Sequence, residues 1–167
     1  MASQKILNAL NQQLNKEMFS SYLYLSMSAY FESHNLPGMS SWMKLQSMEE
    51  YEHAMKFYDF IVRIGGEVKL MQIDAPQTEW DSPLQIFEDS LNHEKFISKS
   101  IHEIMDLATE EKDHPTKSFL QWFVDEQVEE EDTVQQIVDN FKLMGDYKGG
   151  LFMLDRELGS RSSTDEN

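Results

Sequence analysis

Met43-Lys44-Leu45-Gln46-Ser47-Met48-Glu49-Glu50-Tyr51-Glu52-His53-Ala54-Met55-Lys56-Phe57 is the stretch that decides the fold. At a helical period, Met43, Gln46, Glu50, His53, Phe57, Phe60 and Ile64 share one face. The face is apolar towards both ends, yet Glu50 and His53 stand in its middle at i and i+3. A carboxylate in a dry seam costs several kcal/mol unless something pairs with it.

Three further segments repeat the pattern. Residues 3–33 carry an inner stripe of Leu7, Leu10, Leu14, Glu17, Ser21, Tyr24 (or Leu25) and Ser28. Residues 83–112 carry Leu84, Phe87, Leu91, Glu94, Ile97, Ile101, Met105 and Ala108. Residues 115–144 carry Leu120, Phe123, Gln127, Glu130, Val134, Ile137, Phe141 and Met144. Each seam has one acid near mid-helix: Glu17, Glu50, Glu94 or Glu130. The four therefore meet at one level whichever way each helix points. Boundary errors of two residues move this level by only about 3 Å. Four acids at one depth repel unless cations sit among them, so a buried metal site is the leading reading. Oxygen ligands with one imidazole suit iron or manganese, and also accept zinc.

The punctuation gives the topology. Asn35-Leu36-Pro37-Gly38 breaks the first helix, and the second (39–64) stops at Gly65-Gly66. Ser82-Pro83 starts the third, with serine as cap and proline at the first position. The third must end by His114, because the residue before Pro115 is pushed out of the helical region. Short links make the first and last pairs antiparallel hairpins. The connection over 65–82 is long for a compact domain. Roughly 16 extended residues reach about 50 Å, and a helix of roughly 27 is about 40 Å long. The connection can cross the whole bundle and leave the second and third helices parallel. A short apolar helix over 148–158 and a polar, mobile tail over 159–167 complete the chain. The expected fold is all-α: one four-helix bundle with a long crossover and a short fifth helix.

Composition limits the function. The chain has 167 residues and a net charge of −16, from 14 basic and 30 acidic side chains. That argues against nucleic acid, which needs clustered Lys and Arg. The absence of cysteine excludes disulfides, thiolate zinc and cysteine nucleophiles. No stretch approaches a membrane span, and Met1-Ala2-Ser3-Gln4-Lys5 has no apolar signal core. The expectation is a soluble cytoplasmic protein with no membrane partner.

Three motifs carry a resemblance. They are Asn15-Lys16-Glu17-Met18-Phe19-Ser20-Ser21-Tyr22-Leu23-Tyr24, Glu49-Glu50-Tyr51-Glu52-His53-Ala54, and Phe119-Leu120-Gln121-Trp122-Phe123-Val124-Asp125-Glu126-Gln127-Val128-Glu129-Glu130-Glu131. Together they resemble the ferritin-like diiron carboxylate proteins. More narrowly, residues 4–158 look like a non-haem ferritin of the prokaryotic type. The last core helix has Gln127-Val128-Glu129-Glu130 where bacterioferritins and rubrerythrins have a second Glu-x-x-His. The haem-ligating methionine of bacterioferritins is replaced by Tyr51, so no haem is implied. Rubrerythrin's cysteine-bound iron module is missing, and the ligand set lies within one chain, unlike that of the small DNA-protecting relatives.

The resemblance implies that Glu17, Glu50 and His53 hold one iron and that Glu50 bridges to a second, held by Glu94 and Glu130. Gln127 would line the centre, and Tyr24 would hydrogen-bond a nearby carboxylate and could donate an electron. A third iron would use Glu49, Glu126 and Glu129, with Glu130 shared. The implied activity is ferroxidase: two Fe(II) ions each give an electron to O2 or H2O2. Ferric iron would then be stored as hydrated oxide inside a homo-oligomeric shell of 24 subunits, with the fifth helix at the fourfold axes. The alternatives are a diiron peroxidase or oxygenase on the same bundle, and a scaffold binding structural ions. Other residues read more plainly. Trp122 is a core or interface aromatic, the methionines fill gaps, and His34, His93, His102 and His114 lie on the surface.

Overall fold

The computed structural model describes residues 1–163. Five helices follow one another: α1 (Gln4–Ser33), α2 (Pro37–Arg63), α3 (Pro83–Glu110), α4 (His114–Met144) and α5 (Lys148–Gly159). Three of them start on a side-chain cap. Ser3 accepts from the Ile6 amide, Ser82 from Gln85 and Asp113 from Thr116.

Helix α2 begins at Pro37 rather than at 39, because a proline is pre-set for the first helical position and lacks the amide that would go unpaired there. It has no cap of its own. Its Met39 amide donates to Asp155 Oδ1 of α5 at 2.8 Å, so the cap is supplied by another helix. Helix α3 closes at Glu110, short of 112, because Lys112 adopts a left-handed φ of 57°.

The pairings fix the directions. Ser21 meets Ser47 and Ser28 meets Ser40, so α1 and α2 run antiparallel. Gln13 meets Ser100 and Tyr24 meets Ser90, so α1 and α3 are antiparallel too. Helices α2 and α3 are therefore parallel. Gln46 reaches Glu130 while Phe60 stacks on Phe119, which makes α2 and α4 antiparallel. This is a four-helix bundle with α5 packed across the start of α2.

The crossover lies along α1. Asn11 of α1 donates to the Glu67 carbonyl and accepts from the Lys69 amide, at 3.0 and 2.7 Å. Ser26 holds the Gln77 carbonyl, and Trp80 sets its edge against Tyr30. From Asn11 to Tyr30 is about 28 Å of helix at 1.5 Å per residue, so the segment traverses most of the bundle.

Two apolar cores result. One contains Tyr24, Met27, Phe31, Met43, Phe87 and Phe141, and the other contains Leu10, Leu14, Phe57, Ile101, Leu120 and Phe123. Between them lies a buried polar belt that includes Gln13, Glu17, Gln46, Glu50, His53, Glu94, Gln127 and Glu130.

The expected stripes, surface residues and tail need adjustment. In α1 the inner residue of the first turn is Ile6, Leu7 being only half-buried, and Tyr24 points inward while Leu25 is exposed. Ile64, Leu84, Met105 and Met144 are half-buried at the bundle ends, where the neighbouring helices stop. His93 is not a surface residue. Its ring is half-buried beside Phe19 and Tyr24, 2.7 Å from Ser20 Oγ, and burial lowers its pKa. The segment after α5 is not loose throughout: Arg161 is bonded back to α2. The rest of the expected tail, 164–167, lies outside the described residues. No helix among the described residues is long and apolar enough to cross a membrane.

Candidate metal centre

The belt gathers its side chains into three groups whose ligand atoms lie within 4.8 Å of one another. They are Glu17–Glu50–His53, Glu50–Glu94–Glu130 and His53–Glu126–Glu130. Glu50 is common to the first two, which gives it the position of a bridging carboxylate. Each of the four bundle helices delivers its acid from mid-length, so the scaffold under the site is helical and rigid.

Glutamines orient the acids. Gln13 Nε2 donates to Glu17 Oε1 at 3.0 Å. Gln46 Nε2 donates to Glu50 Oε1 at 2.9 Å and to Glu130 Oε2 at 3.0 Å. Gln127 Nε2 donates to Glu94 Oε2 at 3.1 Å and also reaches Ser98 Oγ. Two of these amides are locked from outside. Lys16 Nζ donates to Ser100 Oγ, which donates to Gln13 Oε1 at 2.6 Å. Arg161 Nη2 donates to Gln46 Oε1 at 3.1 Å. With the amide oxygen engaged outward, each NH2 group is left facing a buried carboxylate. Tyr24 donates its hydroxyl proton to Glu94 Oε1 at 2.5 Å and contacts Ser90 Oγ at 3.0 Å.

One atom has no partner of this kind. Among the described residues, Glu17 Oε2 is buried and makes no hydrogen bond. A buried carboxylate oxygen left alone carries the full cost of its lost hydration. A cation held with Glu50 and His53 would remove that cost, so the donor set fits a metal ion.

The electrostatics point the same way. Burial pushes Glu17 well above the carboxylate range, and the Glu50 charge adds to it. Burial, then the charges of Glu94 and Glu50, raise Glu130 in the same way. Burial and the Glu50 charge push Glu94 up to about 8, against the hydrogen bonds of Tyr24 and Gln127. Burial also works against Glu50, but the His53 charge and hydrogen bond overcome it and hold Glu50 at about 2. Burial lowers His53, and the Glu50 charge outweighs this and lifts it to about 9. The metal-free belt thus carries one internal ion pair and three carboxyls that resist ionisation. Divalent cations reverse both tendencies.

Of the outer acids, Glu126 is half-buried and joins His53 and Glu130. Glu49 is buried but joins no such group among the described residues: its Oε1 lies 2.7 Å from Arg161 Nη2. Glu129 is exposed and joins none either. Trp122 sets its edge on His53 while Lys56 Nζ stands 3.1 Å over its indole. These residues border a cavity of about 580 Å³ that opens beside His53. Sequence reasoning placed Gln46 on the seam and missed Gln13 and Arg161. The spacing Gln-x-x-x-Glu, which occurs at Gln13–Glu17 and Gln46–Glu50, is the signal that could have found the orienting amides. For Arg161 there was none, because its partners are more than a hundred residues away in sequence.

Known proteins are similar to this chain in sequence and fold. The family model described as ferritin-like domain matches residues 7–144. A bacterial non-heme ferritin of Bacteroides fragilis is 48% identical over 161 residues, 96% of this chain and 100% of its own. That of Campylobacter jejuni is 37% identical over 95% of both chains. The open-pore ferritin of the hyperthermophilic archaeon Archaeoglobus fulgidus superposes with a TM-score of 0.96 at 49% identity, over 97% of this chain and 100% of its own. With five helices in this order, acids at one depth and matches of this extent, the chain belongs to the ferritin-like family.

Proposed function

We propose that this chain is an iron-storage protein whose buried centre oxidises Fe(II). The observation that carries the reading is the sharing of Glu50 between two buried ligand groups, with Glu17 Oε2 otherwise unpartnered. Glu17, Glu50 and His53 hold one Fe(II), and Glu50, Glu94 and Glu130 hold a second. Two divalent ions balance four carboxylates, and their binding releases the His53 proton together with those of the carboxyls that resist ionisation. Iron here is substrate and cargo.

Carboxylate oxygen favours Fe(III) over Fe(II), because the ion of higher charge and hardness gains more from it. Each iron gives one electron, so a pair reduces O2 to the peroxide level, or H2O2 to water. Tyr24 orients Glu94, and Gln46 orients Glu50 and Glu130. Gln127 holds Glu94 and lines the centre. Ferric iron then leaves past Glu126 towards the cavity and accumulates as hydrated oxide within a shell of 24 copies in the cytoplasm. Exposed Phe152 and Met153 on α5 are suited to contacts between copies.

The test is aerobic Fe(II) loading of the wild type, E50A and H53A, following oxidation rate, particle mass and iron per particle. The expected result is a large particle holding far more than three irons per chain, with oxidation at least tenfold slower in both variants. A small oligomer that turns over an organic substrate would favour the peroxidase or oxygenase alternative. Unchanged oxidation in both variants would defeat the assignment.

A further inference from the structure

Beside the cavity that opens at His53, Glu49 is nine-tenths buried, and its neighbour is a cation from the other end of the chain. Arg161 follows α5 and folds back onto α2. Its Nη2 donates to Glu49 Oε1 at 2.7 Å and to Gln46 Oε1 at 3.1 Å, and its Nη1 donates to the Trp42 carbonyl at 3.3 Å. The guanidinium also lies over the Trp42 ring, 4.5 Å from its centroid. Both side chains of the ion pair are largely buried. A guanidinium held by these hydrogen bonds and an indole face is fixed, and at neutral pH it cannot lose its charge. Glu126 and Glu129 line the same cavity, and with Glu49 and a shared Glu130 they are the acids that the ferritin resemblance assigns to a third ion. They form no ligand group with Glu49 among the described residues, and Glu126 groups there only with His53 and Glu130, both of which the two-ion centre uses.

We propose that Arg161 takes the place of the third cation: by holding Glu49 in an ion pair, it limits this centre to two metal ions per chain. The inference rests on the two-ion reading above. The same contact fixes the Gln46 amide, so the residue that closes the outer position also orients a donor to Glu50 and Glu130.

A metal ion on Glu49 would sit beside the fixed guanidinium charge, with the single charge of Glu49 already paired to it. Removing the arginine leaves a buried, uncompensated carboxylate facing Glu126 and Glu129, which is a vacancy for a third divalent ion.

The experiment uses the full-length assembled protein. Anaerobic Fe(II) is titrated calorimetrically into the wild type, R161A, R161K and R161A/E49Q, and ions are located by anomalous scattering at the iron edge. The expected counts of tight sites are two per chain for wild type and R161K, three for R161A with the new ion at Glu49, and two again for R161A/E49Q. An ion on Glu49 in the wild type overturns the inference alone, as does an unchanged count of two in R161A. A wild type with no ion among Glu17, Glu50, His53, Glu94 and Glu130 overturns the two-ion reading, and the inference with it.

Discussion

His53 Nδ1 lies 3.2 Å from Glu50 Oε2, one helical turn away, and both side chains are buried. This pair is the charge balance of the metal-free centre. A metal ion bound by His53 must discharge this pair, because the imidazolium gives up one proton when a ring nitrogen becomes a ligand.

The pair and its neighbours set the pH dependence of the metal-free protein. Glu17, Glu94 and Glu130 are raised when folded, so their ionisation opposes folding, and stability falls as pH rises above the ordinary carboxylate value of 4.5 towards about 8 for Glu94. His53 is raised from 6.5 to about 9, so its contribution is complete below 6.5 and is lost as pH rises through 9. Glu50, lowered to about 2, contributes fully above 4.5 and loses that only in strong acid. The thermal midpoint of metal-free protein should therefore drop steadily from pH 5.5 to pH 9. Adding Zn2+ should raise it more at pH 8 than at pH 5.5. A midpoint that climbs with pH over this range would contradict the assignment of charges.

Glu17→Gln tests the unpartnered oxygen. The amide keeps an acceptor for Gln13 and turns an NH2 group towards Glu50. Metal-free protein at pH 8 should gain on the order of 1 kcal/mol, the worth of about one pKa unit of relieved shift. Stabilisation by added metal should shrink in the same variant. Denaturant titration with and without Zn2+ reads both, and a destabilised metal-free variant would speak against a strained acid.

Tyr24→Phe removes the donor to Glu94 Oε1 and leaves Ser90 Oγ without that partner. The loss should be about 1–2 kcal/mol. Because the hydroxyl favours the charged form of Glu94, metal affinity at pH 7 should also weaken. If affinity is untouched while stability falls, the tyrosine is only a packing element.

Gly38→Ala addresses the seat of α5. A Cβ at Gly38 would lie 1.8 Å from the Asp155 carbonyl oxygen, and the crossing helix answers with Gly159, itself close to the Gly38 backbone. Both atoms in conflict are backbone, so α5 must shift, which costs about 1–3 kcal/mol and pulls Asp155 from the Met39 amide. The expected outcome is a lower thermal midpoint and a smaller fraction of fully assembled particles by light scattering. An alanine variant that assembles and melts like the wild type would show that α5 is free to move.

The bundle was legible because its signals are local. Periodicity put Glu17, Glu50, Glu94 and Glu130 on apolar faces, and Ser82, Pro83 and Gly65 marked ends that need no tertiary context. The depth of the four acids followed from helix rise alone. Boundaries slipped where two local rules competed, as at Pro37, which breaks the preceding helix and also starts the next. Facing direction slipped by one residue in the first turn, where Ile6 and Leu7 are equally apolar.

The sequence by itself determined helix order, the long crossover, and a level at which buried acids meet, since each depends on neighbours a few residues apart. Only the tertiary structure decided which carboxylate is shared, which oxygen lacks a partner, and which cation answers Glu49. Those facts depend on atoms tens to more than a hundred residues apart brought within 3 Å or so. No spacing rule encodes them: Arg161 reads as a charged residue in a polar tail until the return of the chain from α5 sets it against Trp42, Gln46 and Glu49.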